Sequence, residues 1–187
     1  MTKAEKLYRG TAGTDYWERN RERLDREQKD RAEALRSLIP FSGLPWLEVG
    51  CGEGHNILPG DVGLDCDPRR LARLSAYDNI SVVGSAYSLP FIDEAFVVVF
   101  SVGCLMHLPS GEGETWQAAV AEMARCSSRN IIIGEYMAME EKEIPWHGER
   151  DVLWTRPYLI PGCELIRETK PLRPFDAEIT FQVWRKR

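Results

Sequence analysis

Residues 47–54 read LEVGCGEG, and this run carries the strongest structural signal in the chain. Its first three residues suit a buried strand, and three glycines follow at alternate positions. Glycine lets the backbone turn sharply and approach a ligand closely, because it tolerates a positive φ and has no Cβ. Such a turn at the end of a strand predicts a ligand site in an open α/β sheet. The spacing differs from the dinucleotide pattern G-x-G-x-x-G, in which the third glycine falls one place later than Gly54.

On both sides of this turn, short apolar runs alternate with helical segments. That order predicts a Rossmann-like three-layer α/β sandwich with a mainly parallel seven-stranded sheet. The predicted strands are Trp46–Val49, Val62–Leu64, Ile80–Val83, Phe96–Val102, Ile131–Tyr136, Glu164–Lys170 and Glu178–Arg185. The last two lie too close together for a crossover helix, so we expect an antiparallel edge hairpin there. Helices are expected over Asp15–Leu38, Pro68–Ala76 and Glu112–Cys126, with a single helical turn between Gly54 and Gly63.

Composition narrows the class of protein. The 187 residues, 43% of them hydrophobic, suit one globular domain spanning 1–187. A net charge of -5 gives no general attraction to polyanions, so we expect no nucleic-acid partner. The five cysteines form no C-x-x-C pair, which predicts a reducing compartment and no metal site. No apolar run approaches the roughly 20 residues that span a bilayer, so we expect a cytoplasmic protein without membrane contact.

Two segments outside the sheet are expected to cover the ligand site. Residues 1–40 form a charged helix or arm whose alternating signs predict a solvated face, and Tyr8–Thr14 could order over a ligand. Residues 137–158 combine acidic residues with Trp146 and Trp154, which suits a lid or an acceptor-binding loop. The alternative for this second segment is an ordinary loop that covers a sheet edge.

The run GLDCDP, from Gly63 to Pro68, places carboxylates at the end of the second strand. An acidic side chain there can accept both hydroxyls of an unphosphorylated ribose, and we assign that role to Asp65. Asp67 directly precedes the proline that begins the next helix, so its expected role is to cap that helix.

The motifs occur in a recognisable order: Leu47–Asn56, Gly63–Pro68, Gly84–Phe91 and Phe96–Pro109. Together they resemble the successive motifs of class I S-adenosylmethionine (SAM)-dependent methyltransferases. The resemblance implies SAM as cofactor, S-adenosylhomocysteine (SAH) as product and a small-molecule acceptor.

The resemblance also implies roles for individual residues. The glycine turn would lie under the methionine part of SAM, with Glu48 supporting it, and Asp65 would hold the ribose. The implied cofactor contacts are Tyr16, Trp17, Glu48, Gly50, Cys51, Gly52, Asp65, Cys66, Ser85, Ala86, Tyr87, Ser101 and Val102. The chain departs from the family pattern at Ser85 and Val97, where aspartate is usual or frequent.

A narrower resemblance concerns four short segments: Tyr16–Asn20, Val102–Leu108, Glu135-Tyr136 and Glu143–Gly148. They are similar to the methyltransferases associated with pseudaminic acid biosynthesis, whose genes accompany those for an acidic sugar on bacterial surfaces. This resemblance implies a bacterial enzyme and a carbohydrate or nucleotide-sugar acceptor.

Four side chains are candidates for the base that removes the acceptor's proton: His107, Glu135, Tyr136 and His147. Each also has a structural alternative, such as packing for His107 or a buried hydrogen-bond partner for Glu135. Two other functions stay open. Methylation of RNA or of a protein side chain would use the basic row Arg19, Arg21, Arg23 and Arg26, whereas a non-catalytic binding module would explain Ser85 and Val97.

Overall fold

The computed structural model describes residues 2–39, 45–74, 79–111, 113–146, 148–169, 172–176 and 178–187. The helices are α1 (Lys3–Tyr8), α2 (Thr11–Arg36), α3 (Pro68–Leu74) and α4 (Trp116–Cys126), with a 3-10 helix over Leu105–His107. The strands are β1 (Leu47–Val49), β2 (Val62–Asp65), β3 (Ile80–Val83), β4 (Phe96–Val102), β5 (Ser127–Tyr136), β6 (Lys142–Glu143), β7 (Trp154–Thr155), β8 (Cys163–Thr169) and β9 (Ile179–Lys186). Among these helices, none has the length and apolar character that a membrane crossing requires.

Seven strands form one sheet in the order β3-β2-β1-β4-β5-β9-β8. Strands β1 to β5 run parallel to one another, while β9 is antiparallel to both β5 and β8. The predicted mainly parallel sheet with an antiparallel edge hairpin is therefore confirmed. Strand order reverses at β1, which lies between β2 and β4, and such a switch point is where open α/β sheets bind ligands. The remaining strands, β6 and β7, pair as a separate two-stranded ribbon.

The core lies on both faces of this sheet, because alternate residues of each strand point in opposite directions. On β4, Val99 joins the cluster that packs against α4, whereas Val98 and Phe100 join the cluster that contains Leu35 of α2 and Leu71 of α3. All three β4 side chains are at most 1% exposed. Helices thus cover both faces, and the three-layer arrangement is the one predicted.

Several predicted boundaries were wrong. Helix α2 begins at Thr11 rather than Asp15, and α4 begins at Trp116 because Thr115 caps it by accepting the N–H of Ala118. Strand β5 begins at Ser127, four residues before the apolar run. Its polar start is accommodated because Asn130 donates to the carbonyl of Trp184, 3.2 Å away. Residues 40, 76, 112 and 170, where other predicted boundaries fall, lie outside the described residues.

The first helix was not predicted. Thr2 and Glu5 form a reciprocal capping box that starts α1, and Gly10 separates it from α2. The segment from Tyr8 to Thr14, expected as a glycine-containing arm, therefore joins the end of one helix to the start of the next. A single helical turn was also predicted between Gly54 and Gly63. Residues 52–56 form successive turns there, and no helix is assigned between residues 54 and 63.

Candidate functional site

A cavity of 510 Å³ lies at the carboxyl edge of the parallel strands. Its walls come from the loops that follow β1, β2, β3 and β4, and from α1 and α2. The volume falls within the range of about 300–1,000 Å³ that is typical of small-molecule sites. The fold therefore brings the glycine turn and the acidic loop together with the N-terminal helices around one space.

The glycine turn forms a cradle in the wall of this cavity. Gly50 and Gly52 have positive φ angles of 76° and 55°. A Cβ on Gly52 would lie 2.5 Å from the ring of Trp17, and one on Gly50 would overlap the Sγ atom of Cys104. The N–H groups of Gly50 and Cys51 both donate to the carbonyl of Leu64, at 2.8 and 3.0 Å. Only glycine fits this backbone and this spacing, so the turn presents bare main chain to the cavity.

Asp65 lines the cavity at the end of β2. Its two carboxylate oxygens accept the N–H groups of Gly52 at 2.9 Å and of Asp67 at 2.8 Å. Burial raises its pKa, while these two hydrogen bonds act in the opposite direction. Each carboxylate oxygen keeps a further lone pair, so the group can still accept hydroxyl donors from a ligand. Asp65 is thus fixed in place and available.

Asp67 caps α3, as predicted. Its Oδ1 atom accepts the backbone N–H of Arg69 at 3.0 Å, and its Oδ2 atom pairs with the guanidinium groups of Arg69 at 2.8 Å and Arg70 at 3.5 Å. Hydrogen bonds from Arg69 lower the pKa of this carboxyl group despite its burial. Arg70, which lines the cavity, is held in place as a result.

Glu48 lies behind the turn and does not line the cavity. Its side chain is completely buried, and its Oε1 atom accepts the side-chain N–H of Asn56 at 2.5 Å. Arg31 of α2 donates to the other side of that amide, at 2.9 Å. Burial raises the pKa of Glu48 to about 8. Glu48 and Asn56 therefore link the glycine turn to Arg31 of α2. This position suits a role in holding the turn in place rather than in contacting a ligand.

Aromatic side chains form the wall contributed by α2. Tyr16 and Trp17 line the cavity, and the Trp17 ring stacks on His55 with centroids 5.5 Å apart. The guanidinium carbon of Arg70, a residue of α3, lies 5.1 Å from the centroid of the Trp17 ring. This wall therefore consists of aromatic rings, with the positive charge of Arg70 beside them.

His107 and Tyr8 form a hydrogen-bonded pair on the cavity wall. The Nδ1 atom of His107 lies 2.7 Å from the carbonyl of Val152, and a carbonyl can only accept, so Nδ1 carries the proton. The Nε2 atom, 2.7 Å from the Tyr8 hydroxyl, is therefore the acceptor of that hydroxyl's proton. Burial lowers the pKa of His107 to about 4, so the imidazole is neutral near pH 7. Trp146 stacks on Tyr8 with centroids 5.6 Å apart.

Glu135 does not reach the cavity, contrary to its place among the candidate bases. Its carboxylate is completely buried and accepts three backbone N–H groups, from Cys104 at 3.0 Å, Leu105 at 2.9 Å and Met106 at 3.1 Å. Burial raises its pKa to about 7. Because the 3-10 helix carries His107 directly after these three residues, Glu135 positions that histidine.

The cavity gathers most of the predicted cofactor contacts, which are Tyr16, Trp17, Gly50, Cys51, Gly52, Asp65, Cys66, Ala86 and Val102. It also gathers two candidate bases, His107 and Tyr136. Four predicted contacts do not line it: Glu48, Ser85, Tyr87 and Ser101. Ser101 is completely buried in β4, and the Ser85 hydroxyl accepts the N–H of Tyr87 at 3.3 Å. His147 lies outside the described residues.

Sequence reasoning missed several residues that line the cavity, notably Glu5, Arg70 and Asn56. Glu5 and Asn56 carry no motif of their own. Arg70 follows the acidic loop by three residues, so its position at the start of α3 was the one available signal. Tyr8 lies at the start of the segment expected to order over a ligand.

Comparison with known proteins gives a consistent result. Residues 47–130 match the sequence model of a family described as a methyltransferase domain. The chain matches none of the curated proteins. Among solved structures, the 1,6-didemethyltoxoflavin-N1-methyltransferase of Burkholderia thailandensis is 13% identical with a TM-score of 0.69, and the match covers 100% of this chain and 91% of that one.

Two further structures are similar over most of the chain. The magnesium protoporphyrin IX methyltransferase of Synechocystis PCC 6803 is 13% identical with a TM-score of 0.67, and 98% of each chain is covered. A glycopeptide N-methyltransferase is 13% identical with a TM-score of 0.63, covering 84% of this chain and 96% of that one. The toxoflavin and protoporphyrin enzymes hold bound SAH. The chain therefore has the fold of these methyltransferases, and its residues 47–130 match the sequence model of a methyltransferase domain.

Proposed function

We propose that this protein transfers the methyl group of SAM to an oxygen of a small polar acceptor. The observation that carries this proposal is the cradle of Gly50 and Gly52 beside the fixed carboxylate of Asp65, in a cavity of 510 Å³. A bare turn suits the methionine part of the cofactor and a cavity-facing carboxylate suits a ribose diol. The match of residues 47–130 to a methyltransferase domain supports the same assignment.

When bound, SAM supplies a methyl group already activated on a sulfonium. The protein's own task is then to align an acceptor atom with that methyl group and to exclude water. Residues 137–158 are proposed as the lid that does this. In support, Trp146 stacks on Tyr8, and the exposed residues Glu140 and Glu141 lie on the solvent side of the same segment.

We assign acceptor deprotonation to Tyr8 and His107. The Tyr8 hydroxyl donates to His107, so its oxygen keeps lone pairs that can accept the acceptor's O–H. As the acceptor oxygen takes up the methyl group that SAM would supply, the acceptor's proton would pass to the Tyr8 oxygen. The Tyr8 proton passes at the same time to Nε2 of His107. Tyr136 is the second candidate on the cavity wall, and His147 stays a prediction.

The acceptor class is proposed as a sugar or nucleotide sugar. Trp17, Tyr136 and Trp146 line the cavity with flat apolar rings, which suit the faces of a sugar ring. The short resemblance to methyltransferases of pseudaminic acid biosynthesis supports the same class. The names of the similar solved structures differ in substrate, being a glycopeptide, a porphyrin and a toxoflavin precursor, and so they favour no single acceptor.

The RNA or protein alternative receives no support from the basic row of α2. Arg21 pairs with Glu53 at 3.3 Å, and Arg23 pairs with Glu27 at 3.2 Å. These pairs neutralise part of the charge that a polyanion would need. All five cysteines are free, which supports the proposed cytoplasmic location.

Calorimetric titration with SAM and SAH tests the function. Wild type is expected to bind both, and Asp65→Ala is expected to bind at least about tenfold more weakly, because it loses hydrogen bonds to a charged acceptor. Asp30→Ala, which removes an exposed carboxylate of α2, is the matched control and should bind like wild type. Absence of binding by wild type would contradict the proposal. If binding is found, release of SAH in the presence of sugars and nucleotide sugars identifies the acceptor.

A further inference from the structure

The resemblance to SAM-dependent methyltransferases implies that the end of the cavity beside the loop after β3 holds the adenine, and the usual residue of that family at position 85 is aspartate. Position 85 is serine, and its hydroxyl accepts the N–H of Tyr87 at 3.3 Å instead of lining the cavity. Gly84 and Ala86, on either side of it, do line the cavity, as does Cys66 after β2. This end of the cavity therefore receives no carboxylate from its own loop.

A carboxylate reaches the cavity from α1. Glu5 lines the cavity, and its charge acts on both Cys66 and Tyr87, raising the pKa of each side chain in addition to the larger effect of burial. The Oε2 atom of Glu5 accepts the N–H of Thr2 at 2.7 Å, which completes the capping box. Within the part of the chain that the structure describes, its Oε1 atom receives no hydrogen bond.

Contacts on both sides fix α1 across the cavity. On the cofactor side, the guanidinium of Arg70 donates to the carbonyl of Tyr8 at 2.9 Å, and that of Arg69 donates to the carbonyl of Arg9. On the other side, the ammonium group of Lys3 donates to the carbonyl of Arg150 at 2.5 Å and pairs with Glu149 at 3.4 Å. Glu5 is thus held in the wall by the helix that carries it.

We propose that the outer carboxylate oxygen of Glu5 accepts a hydrogen bond from the exocyclic amino group of the cofactor's adenine. The chain would then select adenine over a purine that carries an oxygen at this position. This inference rests on the proposed function, because it assumes that the cavity binds SAM.

The other carboxylates that line the cavity either accept hydrogen bonds from the protein already or lie beside Tyr136. Asp65 accepts two backbone N–H groups and is assigned to the ribose, while both oxygens of Asp67 are engaged by Arg69 and Arg70. Asp176 lines the cavity from the connection between β8 and β9, close enough to Tyr136 for its charge to raise the pKa of that phenol. Among the described residues, Glu5 is the carboxylate that combines a place near Cys66 with an available oxygen.

The test compares two ligands by calorimetry: SAH and S-inosylhomocysteine, in which an oxygen replaces the amino group. Wild type is expected to bind SAH at least about tenfold more tightly, since a hydrogen bond to a charged group is lost in the analogue. Glu5→Gln is expected to lose most of this preference. The variant keeps the capping box, because glutamine can accept the Thr2 N–H, but it turns an amide donor towards the ligand.

Thr2→Ala is the matched control. It removes a hydroxyl that accepts the N–H of Glu5 at 3.3 Å and donates to its Oε2 atom at 3.4 Å, so it weakens the cap of α1, while the carboxylate keeps the hydrogen bond from the Thr2 backbone N–H at 2.7 Å. It should bind both ligands with the wild-type preference. Loss of preference in Thr2→Ala equal to that in Glu5→Gln would overturn a direct contact and assign Glu5 to helix capping. If wild type binds SAH without preference, the Glu5 proposal fails and the function stands; if it does not bind SAH, both fail.

Discussion

His107 is a partly buried imidazole whose two nitrogens both have hydrogen-bond partners, and its surroundings have a measurable effect on stability. Its pKa in the folded protein is about 4, against about 6.5 in an unfolded chain, because burial disfavours the charged form. Between these two values the unfolded chain binds more protons than the folded one. Stability contributed by neutral His107 is therefore lost as the pH falls through this window, with a slope of up to about 1.4 kcal/mol per pH unit.

The variant His107→Gln should lose less stability on acidification than wild type. Glutamine does not titrate, so the difference between the two proteins isolates this imidazole from the carboxyl groups that both share. Urea unfolding at about pH 7 and about pH 5 measures it, since these values bracket the window in which the imidazole of the unfolded chain takes up its proton. Equal pH slopes in the two proteins would contradict the lowered pKa of His107 in the folded protein.

Individual site residues differ in how far the sequence could identify them. Asp65 and the glycines were predictable because a strand end and a tight turn impose requirements on single residues. Glu5 was not predicted, and Tyr8 was expected only as the start of a segment that could order over a ligand. Both reach the cavity through a helix whose docking depends on Arg69, Arg70 and Lys3. Contacts over such separations follow from tertiary packing, which leaves no local pattern in a sequence.

The 3-10 helix over Leu105–His107 depends on one buried side chain. Glu135→Ala would leave three backbone N–H groups without their acceptor, and each buried unsatisfied donor costs about 1–3 kcal/mol. We expect a loss of at least about 3 kcal/mol in unfolding free energy, measured by urea unfolding. Glu164→Ala removes an exposed carboxylate of β8 and should change stability by less than about 0.5 kcal/mol. Similar losses in the two variants would contradict the positioning role of Glu135.

Among the elements, the strands were predicted better than the helix ends. Apolar runs such as Phe96–Val102 matched their strand because a central parallel strand is buried on both faces. Strand β5 was predicted too short because its first four residues, SSRN, are polar and are accommodated by hydrogen bonds that only the folded sheet provides. Helix α1 has only six residues and is too short for periodicity to indicate it.

In the molecule as a whole, α1 covers part of the cavity that lies at the carboxyl edge of the parallel strands. A six-residue helix is not stable alone, so its docking relies on contacts across the cavity. A cofactor held by both Asp65 and Glu5 would bind the closed form and suppress its opening. At a concentration of SAH about a hundredfold above its Kd, opening should fall by up to about a hundredfold.

Limited trypsin digestion measures this effect. Cleavage after Lys6 and Arg9 should slow when SAH is added, whereas cleavage after the exposed Arg185 of β9 should not change. Mass spectrometry of the fragments distinguishes the sites. Cleavage at all three sites slowed by the same factor would indicate general stabilisation, and equal cleavage of α1 with and without SAH would contradict its closing role.

The close approach of the Cys104 side chain to the backbone of Gly50 has a consequence for chemical labelling. The thiol of Cys104 lies where a Cβ of Gly50 would be, and burial raises its pKa well above the usual value, as it does for Cys51. Cys51 and Cys104 both line the cavity, so a ligand bound there should slow the reaction of their thiols with an alkylating reagent. The rate at which these thiols are modified therefore reports how accessible the cavity is. It should be highest in the empty protein and fall when a ligand occupies the glycine turn.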